Sequence, residues 1–113
     1  MSTIKVKKKR NKFGAVRTTV DGIVFHSKAE SQDYVKLKAA LNNGKITDLE
    51  LQPKYNLLVN GIKIGTYKAD FKFYDVERKE WVVADRKGFD TPLSKRSRKH
   101  VKAQYGIDVE IWK

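Results

Sequence analysis

The chain has 113 residues, 40% of them hydrophobic, with no cysteine, two histidines, and 25 Lys plus Arg against 13 Asp plus Glu, a formal charge of +12. That length and apolar fraction allow one domain with one core, and the charge points to a polyanionic partner, nucleic acid first. The absence of cysteine excludes disulfides and thiolate metal sites, and His26 and His100 cannot build a zinc site by themselves, so any metal must be held by oxygen, as magnesium or manganese would be. No apolar run approaches the ~18–20 residues of a membrane span, and the N-terminus lacks the apolar segment of a signal peptide, so the expectation is a soluble, intracellular protein.

Residues 1–12, M-S-T-I-K-V-K-K-K-R-N-K, carry six positive charges and no acid. They read as a basic flexible arm, either a solubilising tail or a contact for phosphates, followed by a domain over 13–113. From Ala15 to Phe25 two β-branched runs flank Asp21-Gly22, the dipeptide of a tight hairpin turn. A helix is predicted over Lys28–Asn42, with Ala29, Tyr34, Leu37, Ala40 and Leu41 on its apolar stripe and Gly44 in the stop position. Ser27 and Glu30, three apart, match a capping box. Residues 46–59 then read as extended chain, interrupted at Pro53 by a bend or an edge, and Asn60-Gly61 as the turn of a second hairpin joining Tyr55–Val59 to Ile62–Gly65. A long strand is expected over Tyr67–Tyr74, with Asp70 on the face of Lys68, Lys72 and Tyr74. A second follows in W-V-V-A-D-R-K, where Trp81, Val83, Asp85 and Lys87 share a side expected to be buried. Thr91-Pro92 opens a second helix as cap and first residue. Leu93, Val101 and Tyr105 are its few large apolar side chains, whereas Lys95, Arg96, Arg98, Lys99 and Lys102 offer a phosphate-binding surface. Alternation over Ile107, Val109 and Ile111 predicts a half-buried last strand. The order is that of an α+β domain: hairpin, helix, several strands, helix, strand.

Within this order the chemistry concentrates between Lys68 and Gly88. Asp85 and Lys87, two apart in a strand, project to one side, and a hairpin pairing brings Asp70 alongside. Two carboxylates and an ammonium are costly to bury for structure alone but suit a hard divalent cation facing a phosphate.

The spacing of Asp70 and Asp85-x-Lys87, with an acid-bearing helix before and a helix-strand unit after, resembles the PD-(D/E)xK nuclease superfamily. Phe25-x-Ser27-Lys28-x-Glu30, Leu51-Gln52-Pro53-Lys54-Tyr55, Ala69-Asp70-Phe71 and Asp85-x-Lys87-Gly88 are similar to stretches of small phage-encoded endonucleases related to Holliday-junction resolvases. The resemblance implies a restriction-endonuclease-like fold, a central mixed β-sheet flanked by two helices, with an N-terminal β-hairpin. It implies metal-dependent hydrolysis of DNA phosphodiesters, on branched or junction DNA, with Mg2+ or Mn2+ as cofactor, in the cytoplasm of a bacterial host. Asp70 and Asp85 would ligate the metal, Glu30 would complete the site, Lys87 would position the attacking water, and Gln52 would line the site or simply order the bend at Pro53. Glu30 as cap and Glu30 as ligand both remain open. Paired incision of a junction would take a homodimer. The alternative is a basic nucleic-acid-binding protein on the same fold without chemistry. The chain departs from the resembled pattern at Ala69 (usually Pro), Ala84 (an acid in close relatives), Arg86 (apolar), and Ser94, Arg96 and His100 (large hydrophobes).

Overall fold

The computed structural model describes residues 17–113, so the basic arm and the start of the first hairpin lie outside the described residues. The chain divides into two compact units, with the boundary inside the first helix after Lys36.

In the first unit, β1 (Thr18–Val20) and β2 (Ile23–Phe25) pair antiparallel. Asp21 (φ 54°) and Gly22 (φ 75°) both take the left-handed conformation that a two-residue hairpin turn demands. Helix α1 (Lys28–Asn42) begins where Ser27 Oγ accepts the Glu30 amide at 3.1 Å, one half of the capping box. Tyr34 on this helix stacks on Phe25, ring centroids 5.1 Å apart, and its hydroxyl donates to Asp21 Oδ2 at 2.9 Å, so one side chain ties helix to hairpin. The helix ends in a Schellman motif: Lys45 N bonds Ala40 O at 2.9 Å and Gly44 N bonds Leu41 O at 3.1 Å, with Gly44 at φ 74°.

The second unit holds β3 (Ile46–Leu51), β4 (Lys54–Val59), β5 (Ile62–Lys68), β6 (Phe71–Asp75), β7 (Glu80–Arg86), α2 (Pro92–Tyr105) and β8 (Val109–Trp112). A four-stranded mixed sheet has the order β3-β6-β7-β8, antiparallel except for the parallel pair β7/β8 that α2 connects, and β4 and β5 form a separate hairpin over Asn60-Gly61. The chain is therefore α+β, with a mixed central sheet, two helices and an N-terminal hairpin.

The strand expected over Tyr67–Tyr74 is in fact two. It breaks at Ala69-Asp70 because the neighbouring chain breaks in register with it at Gln52-Pro53: Gln52 N bonds Asp70 O at 2.9 Å and Ala69 N bonds Pro53 O at 3.0 Å. At these paired bends both chains pass from the hairpin into the main sheet. The Ala69 amide is needed there, and a proline could not supply it.

On one face of the main sheet Phe71 and Phe73, paired with Ala84 and Val82, meet Trp112 at ring distances of 6.0 and 6.2 Å. Ala84 is fully buried there, leaving no space for an acid. On the other face Val83, Tyr67, Ala69, Leu57 and Val101 of α2 form a core bordered by Tyr55, Ile107 and Val109. Strand β7 is thus buried on both sides from Val82 to Asp85, whereas Trp81, expected inside with them, is 55% exposed. In α2 Val101 is buried but Leu93 is exposed. The helix holds on by polar contacts instead: His100 Nε2 lies 2.9 Å from Leu58 O, the Gln104 side chain accepts Leu58 N at 2.9 Å, and Tyr105 donates to Asn56 O at 2.8 Å. A carbonyl only accepts, so His100 donates from Nε2. These contacts cover the outer edge of β4, which would otherwise invite a foreign strand. They give His100, at a position where the resembled pattern has a large hydrophobe, its structural use.

Candidate functional site

The paired bends set Asp70. Continuing the β6/β7 register one step beyond Phe71↔Ala84 brings Asp70 opposite Asp85. The Asp70 amide donates to Ala84 O at 3.1 Å, and its Oδ2 accepts the Arg86 amide at 2.8 Å, so a side chain replaces a ladder carbonyl where the strand has turned away. Beside it, Gln52 sits at φ 53°, a left-handed conformation that costs a non-glycine residue roughly 1–2 kcal/mol.

Asp85 is 1% exposed, and its Oδ2 accepts the hydroxyl of the buried Tyr67. Lys87 Nζ lies 3.9 Å from the same oxygen, and the Lys87 amide is fixed by Trp112 O at 2.9 Å in the last strand. Burial pushes the Asp85 carboxyl above its ordinary range; Lys87, a backbone hydrogen bond from Asp70, and Arg98 pull the other way. Arg98 reaches this neighbourhood from α2 as part of a two-pronged bridge, Nη2 to Asp90 Oδ2 at 2.6 Å and Nη1 to Asp90 Oδ1 at 2.9 Å, with Ser94 Oγ as a third contact at 2.9 Å. The Arg98 guanidinium holds the Asp90 carboxyl below its ordinary range. Thr91 Oγ1 accepts the Ser94 amide at 3.0 Å, capping α2 directly after this bridge.

Of the residues predicted from the sequence, Asp70, Asp85 and Lys87 come together at the β6/β7 entry, and Gln52 lies at the adjoining bend. Glu30 belongs to the first unit, buried in the first turn of α1. Lys95, Arg96, Lys99 and Lys102 are exposed on α2, whereas Arg98 is largely sequestered by Asp90 and Lys102 bonds Asp108 at 2.5 Å. A groove of about 480 Å³ runs between α2 and β8, lined by Lys95, Arg98, Lys99 and Lys102 over a floor of Ala103 and Val109. Tyr67 and Asp90 were missed. Tyr67 reads from alternation as a core aromatic, and Asp90 as a loop acid; only the fold assigns them to Asp85 and Arg98.

Among the described residues no group of three or more His, Asp or Glu side chains is gathered to hold a metal. The pair Asp70 and Asp85 still fits a small hard cation, because Mg2+ keeps several waters and is commonly held by one or two carboxylates plus substrate phosphates. The buried Asp85 carboxylate would supply oxygen donors, with the Lys87 ammonium 3.9 Å away offsetting part of its charge.

Among the described residues no helix is long and apolar enough to cross a membrane. No curated protein and no solved structure matches the chain. One family does match, over residues 10–112, a span that takes in every described helix and strand: the chain belongs to the family described as protein of unknown function (DUF1064).

Proposed function

We propose that the chain is a metal-dependent DNA endonuclease of the PD-(D/E)xK kind, hydrolysing phosphodiester bonds on branched or junction DNA in a bacterial cytoplasm, and working as a homodimer where paired incisions are made. The observation that carries the reading is the sealed carboxylate of Asp85, opposite Asp70 and beside Lys87. A protein that merely binds phosphate gains nothing from two aspartates facing its own anionic ligand unless a cation lies between them. Mg2+ or Mn2+, when bound, would polarise the phosphoryl oxygens and neutralise the leaving oxygen. Asp70 and Asp85 would hold it. The carboxylate orientations are set in advance by the Arg86 amide on Asp70 and the Tyr67 hydroxyl on Asp85. Lys87 orients the attacking water and offsets charge that develops on the phosphoryl oxygens. The exposed lysines of α2 hold the DNA backbone and leave the bases unread.

A second reading, a nucleic-acid binder without chemistry on the same fold, is favoured by one observation: Asp85 and Asp70 already have protein donors, and no third carboxylate joins them among the described residues.

Labelled linear, nicked and branched DNA incubated with Mg2+, Mn2+, Ca2+ or EDTA separates the two. Cleavage is expected with Mg2+ and Mn2+, and retention without cleavage with Ca2+, whose looser coordination positions water poorly. Asp85→Asn and Lys87→Ala should each abolish cutting and leave most of the affinity, which comes from the other basic residues. Full cleavage in excess EDTA would remove the metal mechanism, and wild-type cutting by either variant would remove the site.

A further inference from the structure

A second feature of the same unit has no role in phosphodiester chemistry. Trp81, next to the turn that begins β7, is 55% exposed in a strand whose next four residues are buried. Its ring is held in place. Tyr74, its cross-strand neighbour, meets it edge-on with centroids 5.4 Å apart at 71°, and Lys72 Nζ stands 5.1 Å from the ring centroid. An exposed tryptophan held this way is a flat surface oriented before any ligand arrives, which lowers the ordering cost of stacking.

The ring borders a cavity of about 640 Å³. The cavity's lining carries Lys72 and Arg78 against Glu80, Asp108 and Glu110, a slight excess of negative charge; Arg78 bridges Glu80 at 2.5 Å and Glu110 at 2.6 Å, and Asp108 is bonded at 2.5 Å by Lys102, which lies outside the lining. Such a wall is a poor place for a phosphate and a suitable one for a neutral, planar group carrying hydrogen-bonding edges. The phosphate-binding charge lies next door, because Ile107 and Asp108 line both this cavity and the lysine-lined groove along α2. A chain alternating neutral rings with anionic links fits the two features together.

We infer that Trp81, oriented by Tyr74 and Lys72, is a stacking platform for an unpaired base of single-stranded DNA whose backbone runs along the α2 groove. Lys72 occupies one face of the indole and the base takes the other. Paired bases inside a duplex are stacked on their neighbours and cannot reach the ring, so the platform discriminates for single-stranded segments such as those at branches. It rests on the DNA-binding part of the proposed function and is independent of cleavage.

Anisotropy titrations of labelled oligothymidylate and of a duplex of equal length, with Ca2+ in place of Mg2+, read it directly. Trp81→Ala should weaken single-strand binding roughly tenfold, in the range of one lost aromatic-base stack, and leave duplex binding within about twofold. Trp81→Phe should restore most of the loss, which separates stacking from a general fold defect. Equal losses on both DNAs, or none on either, would overturn the platform. If Lys95→Ala with Lys99→Ala abolishes binding of both DNAs while Trp81→Ala changes neither, the platform fails and the DNA-binding surface stands. Failure of the wild-type chain to bind either DNA would overturn both.

Discussion

Asp85 is held at a cost to the fold. Its carboxyl is pushed up by burial, with Lys87 the foremost of the groups pulling it down and Asp90 adding a further push. Below the ordinary carboxylate pKa both folded and unfolded chains carry the proton, and the buried acid costs nothing. As the pH rises, the unfolded chain ionises first, and stability is lost until the folded carboxyl has titrated as well. Asp85→Asn, which keeps an acceptor for Tyr67, should therefore raise the melting temperature at pH 7–8, with the gain shrinking to nothing toward pH 3–4. A melting series across that range checks it, and a gain that is constant with pH would argue against buried charge as the cause. Gln52 poses a related choice. Its left-handed backbone (φ 53°) suits glycine better, so Gln52→Gly should stabilise the chain by up to ~1 kcal/mol in urea titrations. If the side chain lines the site, the same variant should cleave more slowly; unchanged cleavage would reduce Gln52 to a residue that shapes the bend.

At the scale of elements, α2 divides its cations between two tasks that the sequence presents as one. Lys95 and Lys99, four apart, are exposed along one stripe, and Arg98 is turned into the bridge with Asp90. Lys95→Ala with Lys99→Ala should weaken binding to every DNA sequence and flatten the salt dependence by roughly one to two units of slope, leaving the melting temperature unchanged. Arg98→Ala should do the reverse: it strands Asp90 and lowers the melting temperature, with a smaller effect on the salt slope. If instead removing residues 1–12 abolishes most binding and the double lysine variant binds normally, the affinity belongs to the arm.

For the whole molecule, the parts written in local chemistry were legible. Asp21-Gly22 and Asn60-Gly61 mark two of the three described hairpins, Thr91-Pro92 and Gly44 bound the helices, and α1 runs over the expected Lys28–Asn42. The two-residue spacing places Lys87 Nζ 3.9 Å from Asp85, and the β6/β7 hairpin places Asp70 one register step beyond its last pair. What depends on distant chain was not legible. The break at Ala69-Asp70 is dictated by Gln52-Pro53, and the sequestration of Arg98 by an acid eight residues earlier; the exposure of Trp81 runs against the burial of the four residues after it. The paired bends have a mechanical consequence. Beyond them the β4/β5 hairpin projects about 20 Å, at ~3.3 Å per residue, and is latched to α2 through His100, Gln104 and Tyr105. The same hairpin carries Tyr67, whose hydroxyl donates to Asp85 Oδ2, so the latch on α2 also keeps the aim of that carboxylate from drifting with the arm.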